Sequence, residues 1–135
     1  MGVILKTEKE IEALRKANRI VVEVLNDLRA NTVAGMSTMD MEKRARKIID
    51  KRKAKSAFLG YRGFPATLCA SVNEEIVYGI PHSKKILKEG DIVSIDFGVF
   101  VDGYCGDAAL TFPIGKVSEE KEKLMKVTRE ALHKG

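Results

Sequence analysis

One stretch of the sequence constrains the fold more than any other: VSIDFGVFVDGYCGDAALTF, residues 93–112. Two runs rich in apolar and β-branched residues flank Asp102-Gly103. An Asp-Gly pair between two such runs is a strong signal for a β-hairpin with a two-residue type I′ turn. This turn places Val101 opposite Tyr104, and that pairing fixes the register of both strands.

Each predicted strand carries one aspartate, Asp96 and Asp107. In this register Asp107 lies opposite Gly98, so both carboxylates lie on one face of the sheet with Cβ atoms about 7 Å apart or slightly less. Small residues (Gly98, Ala109 and Thr111) are expected to leave space around them. The opposite face is apolar and predicts the core: it carries Ile95, Phe97, Val99, Ala108, Leu110 and Phe112.

Two carboxylates that share a face repel each other, and one takes a proton unless something compensates the charge. A divalent cation, or two cations about 3.5–4 Å apart, would accept both carboxylates. The alternative is that one or both face solvent or pair with Lys or Arg. A one-residue slip of the register would put them on opposite faces. The residues alone leave both interpretations open.

Helix signals lie on both sides of the hairpin. Thr7 followed by Glu10 is a capping-box pattern, and Ser37 or Thr38 is predicted to cap a second helix and Ser118 a third. Apolar residues at three- and four-residue steps predict the faces that pack inward. These are Ile11, Leu14, Ala17, Val21, Val24 and Leu28 in the first helix, Met41, Ala45 and Ile48 in the second, and Leu124, Val127 and Ala131 in the third. Helices, then strands, then a helix predict an α+β fold with helices packed on one face of a mainly antiparallel sheet.

Composition limits the class of protein. The chain has 135 residues, enough for one domain, and a net charge of +5. The sequence has no apolar run of membrane length and no signal peptide, so no membrane partner is expected. Its two cysteines, Cys69 and Cys105, form no CxxC motif and favour a reducing, cytoplasmic location. The basic run at residues 51–55 indicates either a solvated helix end or contact with a polyanion such as ribosomal RNA.

The motifs carry a family resemblance. The stretch GYRGFPATLCASVNEEIVYGIP, followed by LKEGDIVSIDFGVFVDGYCGDAALTFPIG, resembles the N-terminal half of a type I methionine aminopeptidase, which has the pita-bread fold. The resemblance covers residues 1–135 as one domain, and the C-terminal half is absent. It implies removal of the initiator methionine from nascent proteins with two divalent ions, commonly cobalt, manganese or iron. Asp96 would be a metal ligand and Asp107 a bridging one, and the metals would activate water and polarise the scissile carbonyl.

The resemblance also implies a pocket for the methionine side chain. Its lining would be Phe58, Tyr61, Phe64 and Cys69. Aromatic rings and a thiol form a soft apolar wall that suits a thioether. Without the resemblance, ordinary core packing is the favoured explanation for these four residues.

Two departures from the family pattern bear on activity. Tyr78 stands where the family has a histidine that assists proton handling. A phenol with a pKa near ~10 cannot replace imidazole at neutral pH, and His82, beyond the Pro81 turn, is not assigned that role.

The second departure concerns the metal ligands. The family's other three, one His and two Glu, belong to the second half, and two carboxylates are too few to hold two ions in ordered sites. We therefore expect little or no activity from the chain alone. It would act on N-terminal methionine peptides with a complementing C-terminal half, or self-associate as an inactive homodimer that mimics the two-lobed fold.

Overall fold

A computed structural model describes residues 2–135 of the chain. The elements run in the order α1 (Glu8–Asn31), α2 (Thr38–Lys51), β1 (Lys55–Ser56), a 3₁₀ turn (Tyr61–Gly63), β2 (Leu68–Val72), β3 (Ile92–Val101), β4 (Tyr104–Pro113) and α3 (Glu119–Lys134). This order confirms the predicted α+β class. In the described part of the chain, no helix is both long and apolar enough to cross a membrane.

The helix caps follow the sequence signals. Thr7 and Glu10 form a complete capping box at the start of α1, and Ser37 and Asp40 form another at the start of α2. Ser118 accepts a hydrogen bond from the backbone N–H of Lys121 at the start of α3. Each hydroxyl satisfies a backbone donor that has no partner within its helix, which defines where the helix begins.

The sheet is built around β3, which pairs with β4 along one edge and with β1 and β2 along the other. All these pairings are antiparallel. Asp102 and Gly103 both have positive φ, 51° and 83°, as a type I′ turn requires. Val101 pairs with Tyr104 and Gly98 with Asp107, so the predicted hairpin register is confirmed without a slip or bulge.

Helices α1 and α2 pack on one face of the sheet and enclose the core. On that face Ile95, Phe97 and Val99 are fully buried. The helices contribute Ala17, Ile20, Val21, Val24, Leu25, Leu28, Met41, Ala45 and Ile49. This matches the predicted apolar faces of α1 and α2 at most positions. The prediction was wrong for Ile11, which is exposed near the start of α1, and Leu14 and Ile48 are only half-buried.

The core contains one charged side chain that the periodicity did not predict. Glu42 of α2 is 2% exposed. Its carboxylate accepts hydrogen bonds from the backbone N–H groups of Thr67 (2.8 Å) and Leu68 (3.2 Å) and pairs with Arg46. These partners compensate its burial, and they fix the start of β2 against α2.

The prediction for α3 was wrong in one respect. The helix forms, but Leu124 and Val127 are 58% and 51% exposed and Ala131 is exposed too, so none of them packs inward. Contact with the rest of the domain includes Lys121, whose Nζ donates to the Gly90 carbonyl (2.6 Å) and to Oδ1 of Asn73 (3.1 Å). Amphipathic periodicity indicates that a helix has an apolar side, but it does not say whether that side is covered.

Candidate metal centre

Asp96 and Asp107 lie on the face of the sheet opposite the helices. Asp96 pairs with Ala109 in β4, and Asp107 pairs with Gly98 in β3, so the two aspartates are diagonal neighbours on one face. Asp96 is half-buried and Asp107 is exposed. Burial raises the pKa of the Asp96 carboxyl, and the negative charge of Asp107 and a hydrogen bond with that residue add to the rise. The two acids are therefore close enough to interact.

The chemistry of this pair fits a divalent cation. Within residues 2–135, neither carboxylate forms an ion pair with Lys or Arg, so that part of the alternative interpretation is excluded. The other part holds for Asp107, which faces solvent. Carboxylates are hard oxygen ligands, and a cation would offset both the burial of the Asp96 charge and its repulsion by Asp107, which together raise the pKa of Asp96. Across the same residues, no group of three or more His, Cys, Asp or Glu side chains is arranged to hold a metal. Asp96 and Asp107 thus suit part of a ligand set.

A cavity of about 510 Å³ opens beside Asp96 on the same face. Its lining contains all four residues predicted for the methionine pocket, together with Tyr78 and Asp96; the full set is Phe58, Tyr61, Arg62, Gly63, Phe64, Pro65, Cys69, Tyr78, Ile80 and Asp96. Asp107 is not among the lining residues. The structure therefore brings an apolar pocket, a phenol and one carboxylate together at a single opening.

Phe58 forms one wall of the cavity and explains why residue 98 is a glycine. A Cβ at Gly98 would lie 3.0 Å from Cε1 of the Phe58 ring and 3.2 Å from the Gly106 carbonyl oxygen. The space that Gly98 was expected to leave open beside the aspartates is therefore occupied by this ring. Phe58 in turn meets Phe64 edge-to-face, with ring centroids 6.5 Å apart and planes at 82°.

Cys69 provides a neutral thiol at the base of the cavity. It pairs directly with Asp96 across β2 and β3 and is 4% exposed. Burial, and then the charge of Asp96, raise its pKa to about 11. Cys105 lies on the same face of β4, and burial and Asp107 likewise raise its pKa. The raised pKa keeps the Cys69 thiol protonated at neutral pH, so its side chain forms an apolar part of the cavity wall.

Tyr78 lies at the mouth of the cavity in a constrained loop. Its side chain is 74% exposed, and its φ of 59° is unusual for an aromatic residue. The next residue, Gly79, is clamped against β2: its N–H donates to Ser71 Oγ (3.1 Å) and its carbonyl accepts from the Ala70 N–H (2.8 Å). A Cβ at Gly79 would lie 2.2 Å from the Ala70 carbonyl oxygen, so only glycine fits there. This clamp holds Tyr78 in place.

His82 lies away from the cavity. Its side chain is exposed, and its Nδ1 accepts a hydrogen bond from the Lys84 N–H at 3.0 Å. Its backbone N–H donates to Oγ1 of Thr38 at the start of α2 (2.9 Å). The residue serves a turn that docks on α2, in line with its exclusion from the predicted site.

Sequence reasoning missed Arg62, which lines the cavity between two of the predicted pocket residues. Its guanidinium lies 5.4 Å from the centre of the Tyr61 ring, a cation–π geometry. Its φ of 48° is left-handed, and the flanking Gly60 and Gly63 also have positive φ. The two glycines around Tyr61-Arg62 were the available signal for a tight loop that points its side chains to one place.

Comparison with known proteins shows the family to which the chain belongs. The sequence matches the family described as metallopeptidase family M24 over residues 12–135. It is similar to the methionine aminopeptidase of Aquifex aeolicus, with 50% identity over 98% of this chain and 54% of the relative. The corresponding values for the methionine aminopeptidase of Clostridium acetobutylicum are 48%, 98% and 53%. The chain spans about half the length of these curated relatives.

Solved structures give the same correspondence. The crystal structure of methionine aminopeptidase from Thermotoga maritima matches with a TM-score of 0.95 and 42% identity, over 98% of this chain and 53% of that one. Prolidase from Pyrococcus furiosus matches with a TM-score of 0.79 at 19% identity, over 95% of this chain and 36% of that one. The second likeness shows a shared fold only.

Proposed function

Because this chain belongs to metallopeptidase family M24 and corresponds to the N-terminal half of a methionine aminopeptidase with the pita-bread fold, we propose that it supplies the substrate pocket and two metal ligands for removal of N-terminal methionine. The observation that carries the proposal is the cavity beside Asp96. It joins an apolar, thiol-containing wall to a carboxylate that faces a second carboxylate. An N-terminal methionine presents the same two features to a protein, an apolar thioether and a polar peptide group.

Each residue has a defined role in this proposal. Asp96 and Asp107 bind divalent metal, of which manganese, cobalt and iron are the candidates. When bound, the metal supplies an activated water and polarisation of the scissile carbonyl. Phe58, Tyr61, Phe64 and Cys69 contact the methionine side chain. Tyr78 offers a hydrogen-bond donor at the mouth of the cavity but has no imidazole with which to relay a proton.

We propose that further ligands come from a second lobe that packs against the site face. Large apolar side chains are exposed around the cavity and on α3: Leu59, Tyr61, Ile76, Val77, Ile80, Leu124, Val127 and Leu132. Exposed apolar side chains on this scale are typical of an interaction surface. A C-terminal half of the same fold is the first candidate for the partner.

The second candidate is another copy of the chain. The exposed apolar side chains support it equally, and a two-fold dimer would bring two pairs of aspartates to one interface. Light scattering on the purified chain separates the two. A dimer that dissociates when Ile76 and Val77 are both replaced by Ser would support self-association, and a monomer at all concentrations would reject it.

The metal site is tested by titrating Mn²⁺ and Co²⁺ against wild-type protein and Asp107→Asn in a calorimeter. We expect measurable binding by wild type and at least a tenfold weaker affinity for the variant. Asp102→Asn is the matched control, because it removes the same charge from the hairpin turn, where Asp102 pairs with Lys16 on the surface. Equal binding by all three proteins would reject the site.

Peptidase activity is tested with Met-Gly-Met, with added metal and with EDTA. We expect no turnover or only a trace from this chain, because two carboxylates do not fill the coordination of two ions. Activity should appear when a C-terminal half from a related enzyme is added. Rapid methionine release by the chain alone would show that expectation to be wrong.

We further propose that the protein works in the cytoplasm near the ribosome. Two free cysteines are in keeping with a reducing compartment. Lys43, Lys47 and Lys51 lie four residues apart on α2 and are exposed, and α2 packs on the face of the sheet opposite the cavity. Sedimentation with ribosomes at low and high salt tests the contact, which should weaken when the three lysines are replaced by Gln.

A further inference from the structure

We propose that Asn18, in α1, is a positioning residue that fixes the main chain of Asp107 through a hydrogen bond to its backbone N–H. The inference rests on the proposed function in one respect, namely that Asp107 is a metal ligand. The bond itself is independent of that role. Asn18 is far from Asp107 in sequence and lies on the other side of the strand's backbone from the cavity, so neither the hairpin nor the pocket required it.

The pattern of strand pairing explains why the Asp107 N–H needs an outside partner. In a two-residue hairpin the closing pair, here Val101 and Tyr104, exchanges both backbone hydrogen bonds, and such pairs alternate with non-hydrogen-bonded ones. Gly98 and Asp107 are three pairs further along, so they form a non-hydrogen-bonded pair. The N–H of Asp107 therefore points away from β3, toward the edge of the sheet where β4 has no neighbouring strand.

The side-chain amide of Asn18 binds this N–H and makes a hydrogen bond with each of its two polar atoms. Its Nδ2 donates to the Leu14 carbonyl one turn earlier in α1, at 2.9 Å. Its Oδ1 accepts from the Asp107 N–H at 3.3 Å. The donor end fixes the orientation of the amide, so that the acceptor end faces β4.

Gly106 allows this approach. A Cβ at Gly106 would lie 2.6 Å from the Ala17 carbonyl carbon and 2.7 Å from the Asn18 backbone nitrogen. The backbone of α1 thus presses directly on β4 one residue before Asp107. A larger residue at position 106 would push α1 away from β4. The hydrogen bond from the Asp107 N–H to Asn18 Oδ1 would then lengthen.

The consequence for the site follows from the exposure of Asp107. Its side chain is exposed, and its strand forms no backbone ladder on the outer side. The bond from α1 is what holds its main chain from that side, and hence the direction in which its carboxylate faces Asp96. Residues that orient a ligand in this way commonly change metal affinity by tenfold or more when altered.

The first test measures amide hydrogen exchange by NMR in the metal-free protein. In Asn18→Ala, exchange at Asp107 should accelerate about 2- to 10-fold, as expected for one neutral hydrogen bond, while the amides in the middle of β3 exchange as in wild type. Asn31→Ala is the matched control, because Asn31 makes the same bond to the carbonyl four residues earlier (Asp27, 2.8 Å) at the far end of α1. Asn18→Asp keeps the acceptor but loses the donor that bonds the Leu14 carbonyl, so the Asp107 amide should exchange more slowly than in Asn18→Ala.

The second test titrates Mn²⁺ against the same variants. Asn18→Ala should bind 2- to 10-fold more weakly than wild type, and Asn31→Ala should bind equally. Unchanged exchange at Asp107 in Asn18→Ala would overturn the inference, as would faster exchange with full Mn²⁺ affinity. If wild type itself binds no Mn²⁺, the proposed metal site fails, and the exchange data alone then decide whether Asn18 positions Asp107.

Discussion

The two faces of the β3–β4 hairpin are built from alternate residues of the same two strands, yet their energetics are opposite. On one face, Phe97 and its neighbours are fully buried beneath α1 and α2. On the other, burial and Asp107 raise the pKa of Asp96, which means that the folded state penalises its charge. One face stabilises the fold, and the other contains a carboxylate whose charge is disfavoured, first by burial and then by Asp107. The difference shows how a period of two residues lets one strand serve both purposes.

The largest effect in this comparison is expected for Phe97→Ala. Phe97 is completely buried, and its removal should lower the free energy of unfolding by about 3–5 kcal/mol through lost burial and a cavity. Phe100→Ala is the counterpart on the other face, where the ring is 45% exposed, and should cost about 1 kcal/mol or less. Urea unfolding of the two variants measures the difference. Equal losses would mean that the two faces do not differ as described.

A pair of glycine substitutions sharpens the same contrast. Gly106→Ala places a methyl group against the backbone of α1 and should destabilise the protein by about 1–3 kcal/mol. A methyl group in Gly98→Ala would lie 3.0 Å from the Phe58 ring, which can rotate, and 3.2 Å from the Gly106 carbonyl oxygen. Both distances exceed the 2.6 Å backbone contact at Gly106, so the effect on stability should be smaller. That variant should instead weaken the contact between the Phe58 and Phe64 rings, visible as a lost nuclear Overhauser effect. A larger loss of stability for Gly98→Ala would contradict the assignment of the rigid face.

The smallest effect concerns the charge of Asp96. A raised pKa means that the folded state holds its proton at pH values where the unfolded chain, with a pKa near ~3.9, has lost it. The contribution of Asp96 to stability is therefore fully present below that pH and is lost as the pH rises through the folded pKa. Asp96→Asn should then raise the urea midpoint slightly at pH 7 and leave it unchanged at about pH 3.5.

Bound metal should reverse the order of stability of wild type and Asp96→Asn at pH 7. A bound cation stabilises only the protein that can hold it, so excess Mn²⁺ should raise the midpoint of wild type and not that of Asp96→Asn. Asp102→Asn, on the surface of the same hairpin, should gain from Mn²⁺ as wild type does. A wild-type protein that is more stable than Asp96→Asn at pH 7 without metal would contradict the conclusion that the folded state disfavours the Asp96 charge.

The hairpin and the helices were predictable because their signals are local. Asp102-Gly103 fixes the register, and the register alone puts Asp96 and Asp107 on one face. Thr7 and Ser37 likewise mark the helix starts with residues a few positions away. The family resemblance then predicted that the cavity residues share one pocket, whereas the residues alone favour ordinary core packing for them. The hairpin, its register and the helix starts could therefore be predicted from the sequence.

Contacts between distant residues could not be predicted in this way. The burial of Glu42 depends on two backbone N–H groups at the start of β2, and the role of Asn18 depends on a strand edge far along the chain. The exposed apolar side of α3 has the same periodicity as a buried one. Each outcome is set by what lies opposite in three dimensions, and a one-dimensional pattern does not specify it.

The tight turn at Asp102-Gly103 also bears on the order in which the protein folds. Because two residues join β3 to β4, bringing Asp96 beside Asp107 closes a very short loop, and β-hairpins of this kind form in about 1–10 μs. The contacts of Glu42 and Asn18 span much longer loops and are slower to form. The acidic pair can therefore assemble before the helices dock. If the proposed metal site is correct, a metal ion would meet both of its ligands while most of the chain is still unfolded.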